Sequence, residues 1–227
     1  MAIYTSKTRI DLEDVGYSNK ITNKAILKIL ENAGARQSET IHFGLNDMEN
    51  VGFSWILLGW KVKILKRPIY NEELTINTWG RDSNRIFTYR DYEIYDESGK
   101  LCAIATSKWA IVDINTGKLR ELTPEIIEKY QCETKKVFEE DYTLKLKEPV
   151  TIIRKQEYKA QRRDIDINKH IHNLYYLDYA YEALPEEVYE APECNNIEIM
   201  YKKQIRLNDE FKCLYTKEEN QNIVTMK

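Results

Sequence analysis

Glycine disappears from this chain after Gly117, and the eight glycines up to and including that one form neither a G-x-G-x-x-G run nor a Walker A loop. Dinucleotide and P-loop nucleotide binding, which need backbone N–H groups packed closely around phosphates, therefore lose their usual signatures. Cysteine is as sparse. Cys102, Cys132, Cys194 and Cys213 form no C-x-x-C pair, which argues against zinc ribbons and thioredoxin-like redox sites. Scattered cysteines behind an N-terminus without an apolar core of signal length read as reduced, structural thiols in the cytoplasm. No run of 18 apolar residues occurs, so no membrane-spanning helix is expected. A basic excess is missing too. Against 34 Lys and Arg stand 37 Asp and Glu, a formal charge of −3, which argues against a general nucleic-acid binder.

What remains is ordinary globular material, 42% hydrophobic and 31% charged over 227 residues. That length suits one large domain or two small ones and buries about 70% of the unfolded surface. Residues 3–13 alternate as an edge strand does. Thr22 and Asn23 then precede apolar positions Ile26, Leu27, Leu30 and Ala33, a helical spacing behind an N-cap, running to about Ile41. Strands are expected at 53–58, 61–65, 74–79, 87–95 and 101–114, with turns at 68–73, 96–99 and 115–117. One long helix beside antiparallel strands is an α+β layer. Residues 123–148 read as a short helix from Pro124 and a polar linker. After Pro149 come a strand over 151–161, a polar loop over 162–171, a helix over 174–184 ended by Pro185, and strands at 197–205 and 211–217.

The second part reads as a repeat of the first. At an offset of 150, Thr22-Asn23 falls on His172-Asn173 and Ile26-Leu27-Leu30 on Tyr176-Leu177-Ala180; at 137, Asn71-Glu72-Glu73-Leu74 falls on Asn208-Asp209-Glu210-Phe211. The change of offset implies a shorter helix or loop in the second copy. At the same offset the strand ending near Ile114 would end beyond Lys227, so the second copy is expected to be short by about two strands. The organisation expected is thus 1–122, a linker 123–148, and 149–227.

Two of the three histidines lie in one polar stretch before the second helix, with Asp164, Asp166, Asn168, His170, His172 and Asn173. Asp166, Asn168 and His170 are spaced by two, so an extended segment projects them to one side. A carboxylate, an amide and an imidazole beside a helix N-terminus can activate water and hold an oxyanion, the parts needed to hydrolyse an acyl compound. Taken alone, the stretch also reads as a capping loop, or as part of a metal site through Asp166, His170 and His172. No further ligand-rich segment exists, and neither metal nor cofactor enters the reading. In the first copy Gly16, Ser18 and Lys20 stand opposite the three polar residues, which favours one active site per chain, in the second copy.

The segment Asp166-Ile-Asn168-Lys-His170-Ile-His172-Asn173, followed by a Tyr-rich helix, resembles the D-x-N-x-H-x-x-N signature of acyl-ACP thioesterases of plants and bacteria. Trp55–Trp79 and Arg90–Leu122 are similar to that family's N-terminal half, and the resemblance runs from about residue 5 to 220. It implies a tandem (double) hot-dog fold, each copy a long central helix wrapped by an antiparallel sheet. It also implies hydrolysis of acyl-[acyl carrier protein] to free fatty acid in fatty acid biosynthesis. Asp166, Asn168 and His170 match catalytic positions. The family usually places an acidic residue after Y-[RK]-[RK]; here Tyr201-Lys202-Lys203 is followed by Gln204, which cannot act as a carboxylate base. Asp166 or His170 then takes that role, Glu198 substitutes, or the protein is slow. Ile205 stands where plant members have cysteine, so a cysteine nucleophile is unsupported, and neither Cys194 nor Cys213 replaces it by position.

The corresponding mechanism places the acyl chain against the first copy, with Trp55 and Trp60 among its contacts, and the thioester carbonyl on backbone N–H groups near His172 and Asn173. Acyl carrier protein is the expected partner, acyl-CoA a related substrate, and monomer or homodimer both fit. Three basic clusters, Lys61/Lys63/Lys66/Arg67, Arg81/Arg85/Arg90 and Arg162/Arg163, are candidate docking patches for the acidic carrier. The rival reading is a non-catalytic or weakly catalytic acyl-ACP- or acyl-CoA-binding protein on the same scaffold.

Overall fold

The structure is a computed structural model that describes residues 3–81, 85–140, 146, 148–149, 151–189 and 194–227. Its strands are β1 (Tyr4–Arg9), β2 (Phe53–Ile64), β3 (Glu73–Gly80), β4 (Phe87–Tyr95), β5 (Leu101–Asp113), β6 (Leu119–Arg120), β7 (Arg154–Lys159), β8 (Asn196–Met200), β9 (Glu210–Glu218) and β10 (Gln221–Met226). Its helices are α1 (Asn23–Thr40), α2 (Met48–Val51), α3 (Pro124–Tyr130), α4 (Tyr175–Glu182) and α5 (Glu186–Tyr189). The chain forms two compact units, Met1–Leu144 with Cys194–Tyr201, and Lys145–Glu193 with Lys202–Lys227.

The first unit is a helix on an antiparallel sheet ordered β1-β3-β4-β5-β2-β8, with β6 also paired to β5. α1 starts where Thr22 accepts the N–H of Ala25 at 3.1 Å. It buries Ile26, Leu27, Leu30 and Ala33, the stripe read from the sequence. The helix approaches the sheet closely at Gly34, where a Cβ would lie 3.1 Å from both the Arg90 Cδ and the Tyr92 hydroxyl. β2 is one twelve-residue strand rather than the two expected. A register shift between Leu57 and Gly59 bends it, and that break in alternation reads as an interruption in the sequence.

Residues 123–137 of the polar run after Leu122 are held against the first unit, and much of the rest of the expected linker lies outside the described residues. Thr123 caps α3, which sends Ile126 and Tyr130 into a cluster with Phe43, Phe53 and Ile111. Beyond it the chain crosses the sheet. Glu133 donates its N–H to the Gly80 carbonyl at 2.9 Å, the Trp79 indole donates to the Lys135 carbonyl at 2.9 Å, and Val137 donates its N–H to Asp91 at 3.0 Å. Trp79 and Asp91 alternate with Thr78 and Arg90, and Arg90 turns toward Gln37 of α1. The crossing segment therefore covers the face away from α1, leaving Trp79 and Asp91 fully buried.

The second unit is a three-stranded sheet, β10-β9-β7, with a core of Ala160, Ile171, Ala183, Phe211 and Cys213. Its frame repeats the first. Tyr4 pairs with Thr78 in β1·β3, and Arg154 with Tyr215 in β7·β9, the offsets of 150 and 137 holding residue by residue. The shortened element is the helix, with eight residues in α4 against 18 in α1. Two expectations change. The strand expected over 197–205 ends at Met200, and β8 completes the first unit's sheet by pairing with β2. β10, unanticipated because its run is short and begins with Gln and Asn, stands beside β9 as β4 stands beside β3. Among the described residues of this unit, β5 and β6 have no counterpart.

Candidate active site

Asp166, Asn168 and His170 sit on a tight turn closed by Asp166 N–H to the His170 carbonyl at 2.9 Å and Lys169 N–H to the Asp166 carbonyl at 3.0 Å. The first copy builds the same turn with Gly16, Asn19 and Lys20. Both turns need a left-handed residue at one position, Asn19 at φ 59° and Lys169 at φ 64°. Asparagine tolerates that conformation; lysine has no intrinsic preference for it, so the surrounding frame imposes it. In the second copy the aspartate adds a lock of its own. Its Oδ1 accepts the N–H of Asn168 at 2.8 Å and that of His170 at 3.4 Å.

Those bonds engage one carboxylate oxygen. Among the described residues, Asp166 Oδ2, the Asn168 carboxamide and the His170 ring nitrogens make no hydrogen bond, so three different polar groups stay available on one turn. His170 is half-buried. Burial chiefly, and the positive charge of Arg206 after it, lower its pKa from 6.5, while Asp166 pulls the other way. The imidazole is therefore neutral near pH 7 and able to accept a proton. Cys213 offers no competing nucleophile, because burial pushes its thiol up to about 12.

The remaining sequence-predicted residues divide between the units. His172 repeats the part of Thr22. Its Nδ1 accepts the N–H of Leu174 at 3.3 Å, in the turn ahead of α4. Its own N–H is engaged by the Asp164 carbonyl at 2.8 Å, as Thr22's is by Asp14, so it is not available to an oxyanion. Asn173 lies half-buried beside it, and Gln204 is exposed in the segment leading to β9. In the first unit, Trp55 packs edge-on against Phe53 and Tyr130, Trp60 is fully buried against Tyr92, and Glu198 stands opposite Lys61 in the β2·β8 pair. Among the described residues, no group of three or more His, Cys, Asp or Glu is placed to hold a metal ion.

Sequence reading missed Arg206 and Tyr176. Arg206 forms a β-bridge with His170, as Ile69 does with Lys20. Applying the 137 offset to the first copy's pairing partner would have found it. The basic clusters also change character. Arg90 is buried and Lys66 is paired to Asp96 at 2.7 Å. Arg67 is held by the Ile21 and Cys194 carbonyls and the Asn23 side chain. Arg162 and Arg163 remain exposed, two residues ahead of the Asp166 turn.

Comparison with known proteins gives a consistent result. Residues 1–130 match the family described as acyl-ACP thioesterase N-terminal domain, and residues 147–227 the acyl-ACP thioesterase C-terminal domain. The chain is 24% identical over 98% of its length to oleoyl-acyl carrier protein thioesterase 2, chloroplastic, of Arabidopsis thaliana, and 24% identical over 99% to the oleoyl-acyl carrier protein thioesterase, chloroplastic, of Coriandrum sativum. It spans 65% of the length of each of these curated relatives. An acyl-ACP thioesterase structure from Bacteroides thetaiotaomicron superposes with a TM-score of 0.86 at 23% identity, covering 100% of this chain and 92% of the other. The 12:0-ACP thioesterase structure from Umbellularia californica superposes at 0.87 and 16%, with the same coverage. At those identities the structures bear on fold, which is the tandem hot-dog arrangement.

Proposed function

The chain belongs to the acyl-ACP thioesterase family, and on that premise we propose that it hydrolyses the thioester of acyl-[acyl carrier protein], releasing a fatty acid and the carrier's thiol. The observation that carries this reading is the Asp166 turn. It presents a carboxylate oxygen, a carboxamide and a neutral imidazole together, and the equivalent positions of the first copy, Gly16, Ser18 and Lys20, carry none of them. His170 takes a proton from water as that water attacks the thioester carbonyl. Asp166 stabilises the imidazolium that forms, and the Asn168 carboxamide orients water or carbonyl. Collapse of the tetrahedral intermediate expels the carrier thiolate, which takes up the proton that His170 holds. Gln204 contributes orientation without charge. His172 serves the site by holding the turn ahead of α4, with Asn173 beside it, and the acyl chain lies against the first copy with Trp55 among its contacts; Trp60, fully buried against Tyr92, belongs to the core and not to that surface. The carrier docks on Arg162 and Arg163, whose exposed charge complements an acidic protein. Among the described residues no helix is long and apolar enough to cross a membrane. A cytoplasmic setting belongs to the same proposal, and four free cysteines suit it.

Steady-state kinetics on octanoyl- to stearoyl-ACP test the whole reading. Asp166→Ala, Asn168→Ala and His170→Ala should each lose about a hundredfold or more in kcat. The double charge reversal Arg162→Glu/Arg163→Glu should raise KM and leave kcat nearly unchanged. Near-normal kcat in all three alanine variants sinks the site assignment. Acyl-ACP binding without thiol release by the unaltered protein would favour a binding role instead.

A further inference from the structure

Tyr176 stands in the first turn of α4, and its hydroxyl reaches back to the segment before β9. The phenol oxygen accepts the N–H of Ile205 at 3.1 Å, and the O–H donates to the Lys203 carbonyl at 3.4 Å. The two bonds straddle residue 204. From the opposite side, the Ile205 carbonyl accepts the N–H of Ile171 at 2.8 Å, and Arg206 bridges to His170. The peptide carrying Gln204 is thus held between α4 and the Asp166 turn.

The first copy shows that this arrangement is not part of the repeated frame. The same main-chain bond is present there, Ile21 N–H to the Pro68 carbonyl at 2.9 Å. The residue equivalent to Ile205, however, is Pro68, which has no N–H to satisfy. The residue equivalent to Tyr176 is Ile26, buried and without a polar group. Where the second copy gains a half-buried donor at 205, it also gains the one hydroxyl that meets it. An unmet donor there would be costly, and a backbone free to shift would misplace the side chain at 204.

We infer that Tyr176 is a positioning residue that fixes Gln204 in register with His170. A carboxamide cannot take a proton, so residue 204 can act here only by orienting water or the thioester, and orientation depends on a fixed backbone. The inference rests on the thioesterase reading of the Asp166 turn. Burial raises the Tyr176 pKa above 10, so the phenol keeps the proton it donates to Lys203.

Tyr176→Phe keeps the ring and deletes both bonds. Backbone amide exchange measured by NMR should accelerate at Ile205 by about tenfold or more, against little change at Ile171. With acyl-ACP, kcat should fall about tenfold and KM stay within about twofold. Gln204→Ala should lower kcat too, and the double variant should be no slower than the slower single, since one residue acts through the other. Unchanged exchange at Ile205, or a double variant whose loss is the product of the two single losses, overturns the inference. Absence of turnover by the unaltered protein overturns the function reading, and with it the catalytic purpose of the clamp; the exchange measurement still decides whether Tyr176 holds residue 204.

Discussion

His170 stands between charges of opposite sign, Asp166 on its own turn and Arg206 across the β-bridge. Burial and Arg206 hold its pKa below 6.5. The folded state therefore resists the proton more than the unfolded chain does. The stability this group contributes is present above pH 6.5 and is lost as pH falls from there through the lowered folded value. Activity should follow the same limb, with neutral His170 required as base. Arg206→Gln removes a repelling cation, so the His170 pKa should rise toward 6.5, by an amount limited because Arg206 is solvent-exposed. An NMR titration of the ring checks the direction; an unchanged or lower value contradicts the charge assignment.

At the scale of elements, the two helix starts are alternative solutions to one requirement. Thr22 caps α1 through its hydroxyl, and His172, its repeat equivalent, accepts the Leu174 N–H through Nδ1 in the turn ahead of α4. If capping is the histidine's task, His172→Thr should unfold in urea close to the unaltered protein, whereas His172→Ala should cost about 1 kcal/mol. Equal losses in both variants would assign the imidazole ring some further packing role. The segment after α3 teaches a related point. Its composition reads as a linker because one side faces solvent, while its backbone is bound to Gly80, Trp79 and Asp91. Composition reports exposure; it does not report whether a backbone N–H has found a buried carboxylate.

Over the whole molecule, chain order and spatial grouping part company at β8. At the 137 offset Glu198 is the repeat equivalent of Lys61, and these two residues face each other in β2·β8, so β2 pairs with its own counterpart in a register centred on them. Removing that strand leaves the edge of β2 open, and an uncovered strand edge invites pairing between chains. A fragment of residues 1–144 should therefore melt lower and associate in size-exclusion chromatography. The same fragment with 194–201 appended through a flexible linker should recover a monomeric, more stable form. Equal behaviour of the two fragments would show that β8 contributes little.

Much of this protein follows from local sequence, because the forces concerned are local. The amphipathic stripe and cap of α1, the strands with strong alternation, and the duplication with its shortened second helix all depend on residues close together in the chain; Asp166, Asn168 and His170, read there as an extended segment, lie instead on a tight turn. Tertiary structure decided the rest through hydrogen bonds between residues far apart. The partner of β8, the burial of Asp91 under residues 133–138, the engagement of the His172 N–H by Asp164, the placement of Arg206 against His170, and the Tyr176 bonds on either side of Gln204 are of this kind. A backbone donor carries the same letter whether it is met or not, so no spacing in the sequence discloses which distant acceptor satisfies it.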